Sequence, residues 1–176
     1  MVTLIVPFML LSALGFGLSA YAHVMSVLGK SLFWGGSVWF LHIGIFVVWL
    51  PAVIAAQRVM RDAPQKDFWK IILAGCPAWM KTAQILVFVY AIANFLYFAP
   101  THPARTHLEN TDPSVIRGFS GHWLIFYGAA FSILYSVYRR PDLLEERKCP
   151  AGHPVAHLAD YCGICGARVY VQNRNA

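Results

Sequence analysis

Acidic residues are scarce in this chain: there are eight Asp and Glu in 176 positions, and none falls inside a long apolar run. An ion-coupled pump ordinarily relies on an intramembrane carboxylate, so that class loses its main support. Charge of either sign is sparse, at 12% of residues, whereas soluble domains run nearer a quarter. Cysteine is also rare. Four thiols are too few for a disulfide-stapled fold, and three of them crowd into the last 28 residues, leaving Cys76 alone in an apolar context. One metal site plus one structural thiol fits that distribution better than two disulfides. Internal repeats, low-complexity stretches, Ser-His-Asp constellations and paired carboxylates are all lacking.

What is abundant is apolar surface: 58% of residues are hydrophobic and 15% aromatic. The aromatics suit the interfacial belts of a bilayer protein. The net charge of +6 comes largely from Lys and Arg flanking apolar runs. There they act as topology signals and as partners for anionic headgroups, so no nucleic-acid partner is expected.

Four runs are long enough to cross about 30 Å of hydrocarbon as helices. The first, Val2 to Leu28, contains no charged side chain. Ala20-Tyr21-Ala22 mimics a signal-peptidase site, but no Lys or Arg precedes the run and it exceeds a signal core, so it reads as a retained helix. The second runs from Leu32 to Ala56, with Pro51 placed to kink it. The third runs from Ala78 to Ala99, with Pro77 at its start, Lys81 snorkelling from its first turn and Pro100 and Pro103 after it. The fourth begins at the cap-plus-proline pair Asp112-Pro113 and reaches about Tyr138, where Arg139, Arg140 and Pro141 stop it. Between the second and third runs, a short helix near 67–74, capped by Asp67 and closed by Gly75, mixes aromatic, basic and aliphatic residues and is expected to lie in the membrane interface.

The expected fold is therefore an all-α membrane protein, a four-span up-down helical bundle with a small C-terminal β module. Its parts are a transmembrane domain over 1–140, a charged linker over 141–148 that extends outward as a short helix, and a tail over 149–176. The connection between the second and third spans, with the first turn of the third, holds Arg58, Arg61, Lys66, Lys70 and Lys81. The tail adds Arg139, Arg140, Arg147 and Lys148, against Lys30, Arg105 and Arg117 on the other side. The positive-inside rule then puts both termini in the cytoplasm, with a bacterial inner membrane as the expected location.

The tail reads Cys149-Pro150-Ala151-Gly152-His153, then eight residues, then Tyr161-Cys162-Gly163-Ile164-Cys165-Gly166. Two short knuckles, each with paired donors and a glycine that lets the backbone fold under a metal, are what a tetrahedral zinc site requires. Free thiols and a redox-active Cys162/Cys165 pair are the alternatives. A redox pair, however, normally opens a helix in a βαβ unit that 28 residues cannot supply. Over about residues 148–171 the tail resembles the short zinc ribbons written CP-x-GH…(F/Y)C-x-x-CG, which are appended to many unrelated proteins. That resemblance implies Cys149, His153, Cys162 and Cys165 as ligands of a structural zinc, with small β-hairpins around them. It departs from all-Cys ribbons at His153, which favours zinc over rubredoxin-like iron, and His157 stands as a substitute for His153. A tail this short has no core of its own, so the metal is expected to fold it.

Five histidines, His23, His42, His102, His107 and His122, fall on or near the expected outer side. Facing imidazoles in a bundle could hold a haem or a metal ion, which makes His23, His42 and His122 candidate cofactor ligands. The plainer alternative has His23 and His122 hydrated at the interface and His42 in an interhelical hydrogen bond. No ligand-spacing motif argues against it. Asn94 reads as an interhelical hydrogen-bonding residue, and Trp34, Trp39, Trp123, Tyr97 and Tyr138 as belt and packing groups. The function expected from all this is that of a non-enzymatic membrane accessory, adaptor or regulator. Its tail is structural or docks a cytoplasmic protein, with a homo-oligomer as the other partner to consider. A haem- or metal-binding protein in electron transfer or metal handling is the alternative, and a small channel or transporter the third.

Overall fold

The structure, a computed structural model, describes residues 2–61, 63–101, 111–156 and 159–169. Uncharged apolar sequence becomes helix because only a helix satisfies every backbone polar group within the segment. Helix α1 spans Val2–Val27, with Pro7 inside its first turns. A 3-10 turn, Gly35–Trp39, leads into α2, Phe40–Val59, which stays helical on both sides of Pro51. The short α3, Phe68–Ile72, follows, then α4, Ala78–Thr101, and α5, Pro113–Arg139. The start of α5 is fixed as its sequence dictates. The Asp112 carboxylate accepts the Ser114 N–H at 2.7 Å, and Pro113 takes the first helical position, where no N–H is required.

Three stretches, Leu4–Val27, Gly35–Val59 and Ala78–Tyr97, are long and apolar enough to cross a membrane. The expected fourth, α5, has the length but is the least apolar of the four long helices, and its position explains why. It is the hub of the bundle, packed by α1, α2 and α4 in turn, while α1 and α4 touch each other little. Trp123, Ala130, Leu134 and Val137 of α5 are buried, and so are the small polar residues Ser120, Ser132 and Ser136. Small residues allow close helix approach at the cost of hydropathy. The outer faces of α1, α2 and α4 carry the exposed Leu14, Phe46, Leu50, Leu86 and Phe95, the surface expected of helices in lipid.

One aromatic fixes the centre. Tyr127 of α5 lies between Gly15 of α1 and Gly44 of α2, so that a Cβ on either glycine would fall inside its side chain. Its hydroxyl donates to the Leu41 carbonyl at 2.8 Å.

Three local expectations change. Asp67 makes no capping bond to α3. Helix α3 packs Ile71 and Ile72 into the core while Trp69 stays exposed. Gly75 serves close approach more than helix closure: its N–H donates to Ser136 Oγ at 2.9 Å, and a Cβ there would overlap the Ser136 carbonyl. Beyond α5, the linker does not extend outward as a helix. Pro141–Leu144 forms a 3-10 turn that buries Leu143 completely against α2 and α5, and Glu146 pairs with Arg61. The tail is thus seated on the end of the bundle where α2 and α5 finish. Lone Cys76 is a structural thiol, as expected: it is buried, donates to the Ser132 carbonyl at 3.1 Å, and is pushed up to about 11 by burial.

Candidate metal centre

The tail is built from two hairpin-like knuckles. Strand β1, Arg147–Lys148, pairs antiparallel with β2, Pro154–Val155, with Arg147 opposite Val155 and Lys148 opposite Pro154. The connecting residues form the first knuckle, in which Cys149 N–H donates to the His153 carbonyl at 3.0 Å and Gly152 N–H to the Cys149 carbonyl at 2.8 Å. The second knuckle closes through an isolated bridge between Tyr161 and Arg168. Here Cys162 N–H donates to the Ala167 carbonyl at 2.8 Å and Gly166 N–H to the Cys162 carbonyl at 2.9 Å. Each turn ends on a glycine with positive φ, +85° at Gly152 and +70° at Gly166, a conformation that side-chain-bearing residues rarely adopt.

The two turns face each other. Cys149 Sγ lies 3.6 Å from His153 Nδ1 and 3.7 Å from Cys165 Sγ, and Cys162 Sγ lies 3.8 Å from His153 Nδ1. All four donor atoms fall within 4.8 Å of one another. Zn–S bonds of about 2.3 Å and Zn–N bonds of about 2.0 Å at tetrahedral angles place neighbouring donors about 3.5–3.8 Å apart. The observed separations match that spacing. They are also too long for a disulfide, whose sulfurs stand about 2.05 Å apart. Electrostatics favours thiolate here: the backbone N–H groups of Cys165 and Ile164 aim at Cys162 Sγ and bring its pKa down to about 6. Cys165 is shifted the other way. The Ala167 amide alone would lower it, but the neighbouring Cys162 thiol, burial and Cys149 together raise it. A cluster of three cysteines and one histidine able to bind a metal ion is therefore present, on the four residues that the knuckle spacing singled out. His157, the expected substitute, lies outside the described residues. Comparison with family models, with curated proteins and with solved structures finds no match.

The membrane histidines separate into two groups. His42 and His122 meet, His122 Nε2 lying 3.1 Å from His42 Nδ1, with the Trp123 Nε1–H donating to that same Nδ1 at 3.1 Å. An indole nitrogen can only donate, so His42 Nδ1 is the acceptor and His122 Nε2 donates to it. Trp39, Phe119 and Phe126 surround the pair edge-on. His23 is not with them. It is buried, with Nδ1 2.7 Å from Ser120 Oγ and Nε2 2.7 Å from Tyr90 OH, so it is held by side chains rather than hydrated at an interface. Asn94 does bridge helices: its amide donates to the Arg117 carbonyl at 3.3 Å and accepts from Arg117 Nε at 3.1 Å. His102 and His107 lie outside the described residues. The roles of Tyr90, Ser120 and Trp123 were missed because they depend on contacts 67 to 97 positions away, although Trp123 does adjoin His122 in sequence.

Proposed function

We propose that this chain is a four-span integral membrane protein whose tail folds around one structural zinc ion and serves as a rigid docking module for a cytoplasmic protein. The convergence of three sulfurs and one imidazole nitrogen at tetrahedral spacing carries this reading. Soft thiolates with one His favour zinc over hard cations, and four protein donors leave no open position for a substrate. The zinc would complete the coordination that the knuckles prearrange and hold together a module whose core, among the described residues, is Cys149, Val155, Cys162, Val169 and Ala159. The role is accordingly that of an accessory, adaptor or regulatory subunit rather than an enzyme. The excess of Lys and Arg at the tail-bearing end supports a cytoplasmic placement of both termini. A span for α5 is supported by its length and by its enclosure among α1, α2 and α4.

Elemental analysis of detergent-purified protein tests the metal directly: one zinc per chain is expected, and protein carrying no metal, or iron with a rubredoxin-like spectrum, would remove the assignment. Orientation is tested in intact cells with an impermeant thiol reagent, which should reach a cysteine placed at Thr106 and miss one placed at Gln65.

A second reading, a cofactor on the outer histidines, draws on the meeting of His42 and His122. A haem with two axial imidazoles needs those nitrogens about 4 Å apart, twice an iron–nitrogen bond of about 2 Å, across a flat macrocycle. At 3.1 Å and in direct hydrogen bond, the pair has no such space, and an interhelical packing role fits it better. A Soret band in the purified protein would reverse that preference.

A further inference from the structure

One of the three sulfurs in the donor cluster is placed differently from the other two. Cys149 and Cys162 are buried, whereas Cys165 is exposed. Cys162 is turned inward, and its sulfur accepts the N–H groups of Ile164 and Cys165. Cys165 follows the exposed Ile164 at the tip of the second knuckle. A Cβ added at Gly163 or Gly166 would meet no atom of the described residues within 4 Å, so the turn that carries this sulfur stands clear on both sides.

A metal-bound cysteine is held as thiolate, because coordination removes its proton. Thiolate character and solvent access decide which cysteine an oxidant reaches first, and a second thiol within reach decides whether the product is a disulfide. Cys165 meets the first two conditions. Cys149, whose Sγ lies 3.7 Å away on the other knuckle, supplies the third. Disulfide sulfurs stand about 2.05 Å apart, so the pair has to close by only about 1.7 Å.

We infer that the tail is a peroxide-responsive switch, a regulation that rests on the structural zinc proposed above: Cys165 is the entry point for the oxidant, Cys149 is its resolving partner, and the disulfide they form expels the metal. The Cys165 thiolate attacks one peroxide oxygen; the O–O bond breaks and hydroxide leaves, giving a sulfenic acid. The Cys149 thiolate then attacks that sulfur. An S–S bond forms, the S–O bond breaks and a second hydroxide leaves, so two electrons pass from two thiolates to one peroxide. Of the four donors, Cys162 and His153 remain, too few for a structural zinc, and the tail loses the element that orders it. Docking by the tail is thereby confined to reducing conditions.

The test uses detergent-purified full-length protein, whose zinc is measured first and which is then titrated with hydrogen peroxide in the presence of a chromogenic zinc indicator. Zinc absent at the outset removes the metal reading and this inference with it, and every later result bears on the switch alone. One zinc should be released for each peroxide consumed. Fragmentation of the alkylated tail in the mass spectrometer should find Cys149 joined to Cys165 and Cys162 free. Cys165→His keeps four donors but removes the exposed thiolate, so its zinc should leave about tenfold more slowly. Should that variant fail to load zinc, the disulfide map of the wild type decides by itself. Zinc retained by the wild type through excess peroxide overturns the inference. So does a Cys162–Cys165 linkage, and so does a zinc-loaded Cys165→His that releases its metal at the wild-type rate.

Discussion

The bundle and the tail of this protein hold together in opposite ways. The bundle has a large core organised about one helix. Its polar groups are satisfied between helices, as where His23 meets Ser120 and Tyr90, or Asn94 meets Arg117. Among the described residues the tail has almost no core, and its organising element is four converging donor atoms. A fold made by dispersed contacts loses stability piecemeal, whereas a fold made by coordination is lost when any one ligand goes. The difference can be broken or sharpened by substitutions that address one region at a time.

The largest effect is expected at the proposed zinc. Cys162→Ser or Cys165→Ser should release it, and structural zinc contributes about 10 kcal/mol or more to small domains. Limited proteolysis should then cut within the tail while the bundle melts as in the wild type, and simultaneous loss of the bundle would refute the separation. The same site carries a pH dependence. Backbone N–H groups hold Cys162 down at about 6, against an ordinary thiol value of about 9, so the stability its thiolate contributes is complete above about 9 and is lost as pH falls to about 6. Zinc retained on dialysis at pH 7.5 should be shed progressively below about 6. Cys76, pushed up to about 11, should resist alkylation throughout unless the bundle is unfolded.

Next in size is the joint between the regions. Leu143 is completely buried where the turn after α5 meets α2, and Leu143→Ala should cost about 2–5 kcal/mol locally. Its signature is a protein that keeps its zinc but exposes the Pro141–Lys148 segment to protease. If the segment is as protected as before, the tail is held by something other than this contact.

Gly75→Ala acts on the bundle alone. The added methyl overlaps the Ser136 carbonyl, and such overpacking typically costs about 1–3 kcal/mol. A lowered melting temperature with full zinc content is expected. The smallest effect should come from His42→Gln, in which an amide oxygen can still accept from Trp123. A change of about 1 kcal/mol, the worth of one interhelical hydrogen bond, is expected, and a collapse of the bundle would point to a larger role for His42.

Much of this architecture was legible locally. Asp112 followed by Pro113 announced the start of α5, the apolar runs announced α1, α2 and α4, and two glycine-terminated knuckles announced the donor cluster. Each is written in residues a few positions apart, governed by capping, hydropathy or ligand spacing. Hidden were the facts set by distant partners. Nothing near Gly15 or Gly44 in sequence points to Tyr127, which lies between them, and Gly75 read as a helix terminator until Ser136 is found against it. The linker Asp142 to Lys148 looked solvent-bound because most of its residues are charged, yet one leucine, Leu143, anchors it. The histidines were legible as a set on one side of the bundle but not as a pair and a singleton, since α5 presents His122 to α2 and Ser120 to α1.

The central placement of α5 has a consequence for how the protein is made. Chains enter the membrane N-terminal part first, and a segment partitions into lipid according to its own apolarity. Of the four long helices, α5 is synthesised last and has the weakest claim on lipid by itself. By then α1, α2 and α4 are available, and the faces that α5 will contact belong to them rather than to hydrocarbon. On the proposed four-span reading, its integration is an act of assembly more than of partitioning. Truncation of α1 should leave α5 poorly inserted even though the two are separated by more than eighty residues.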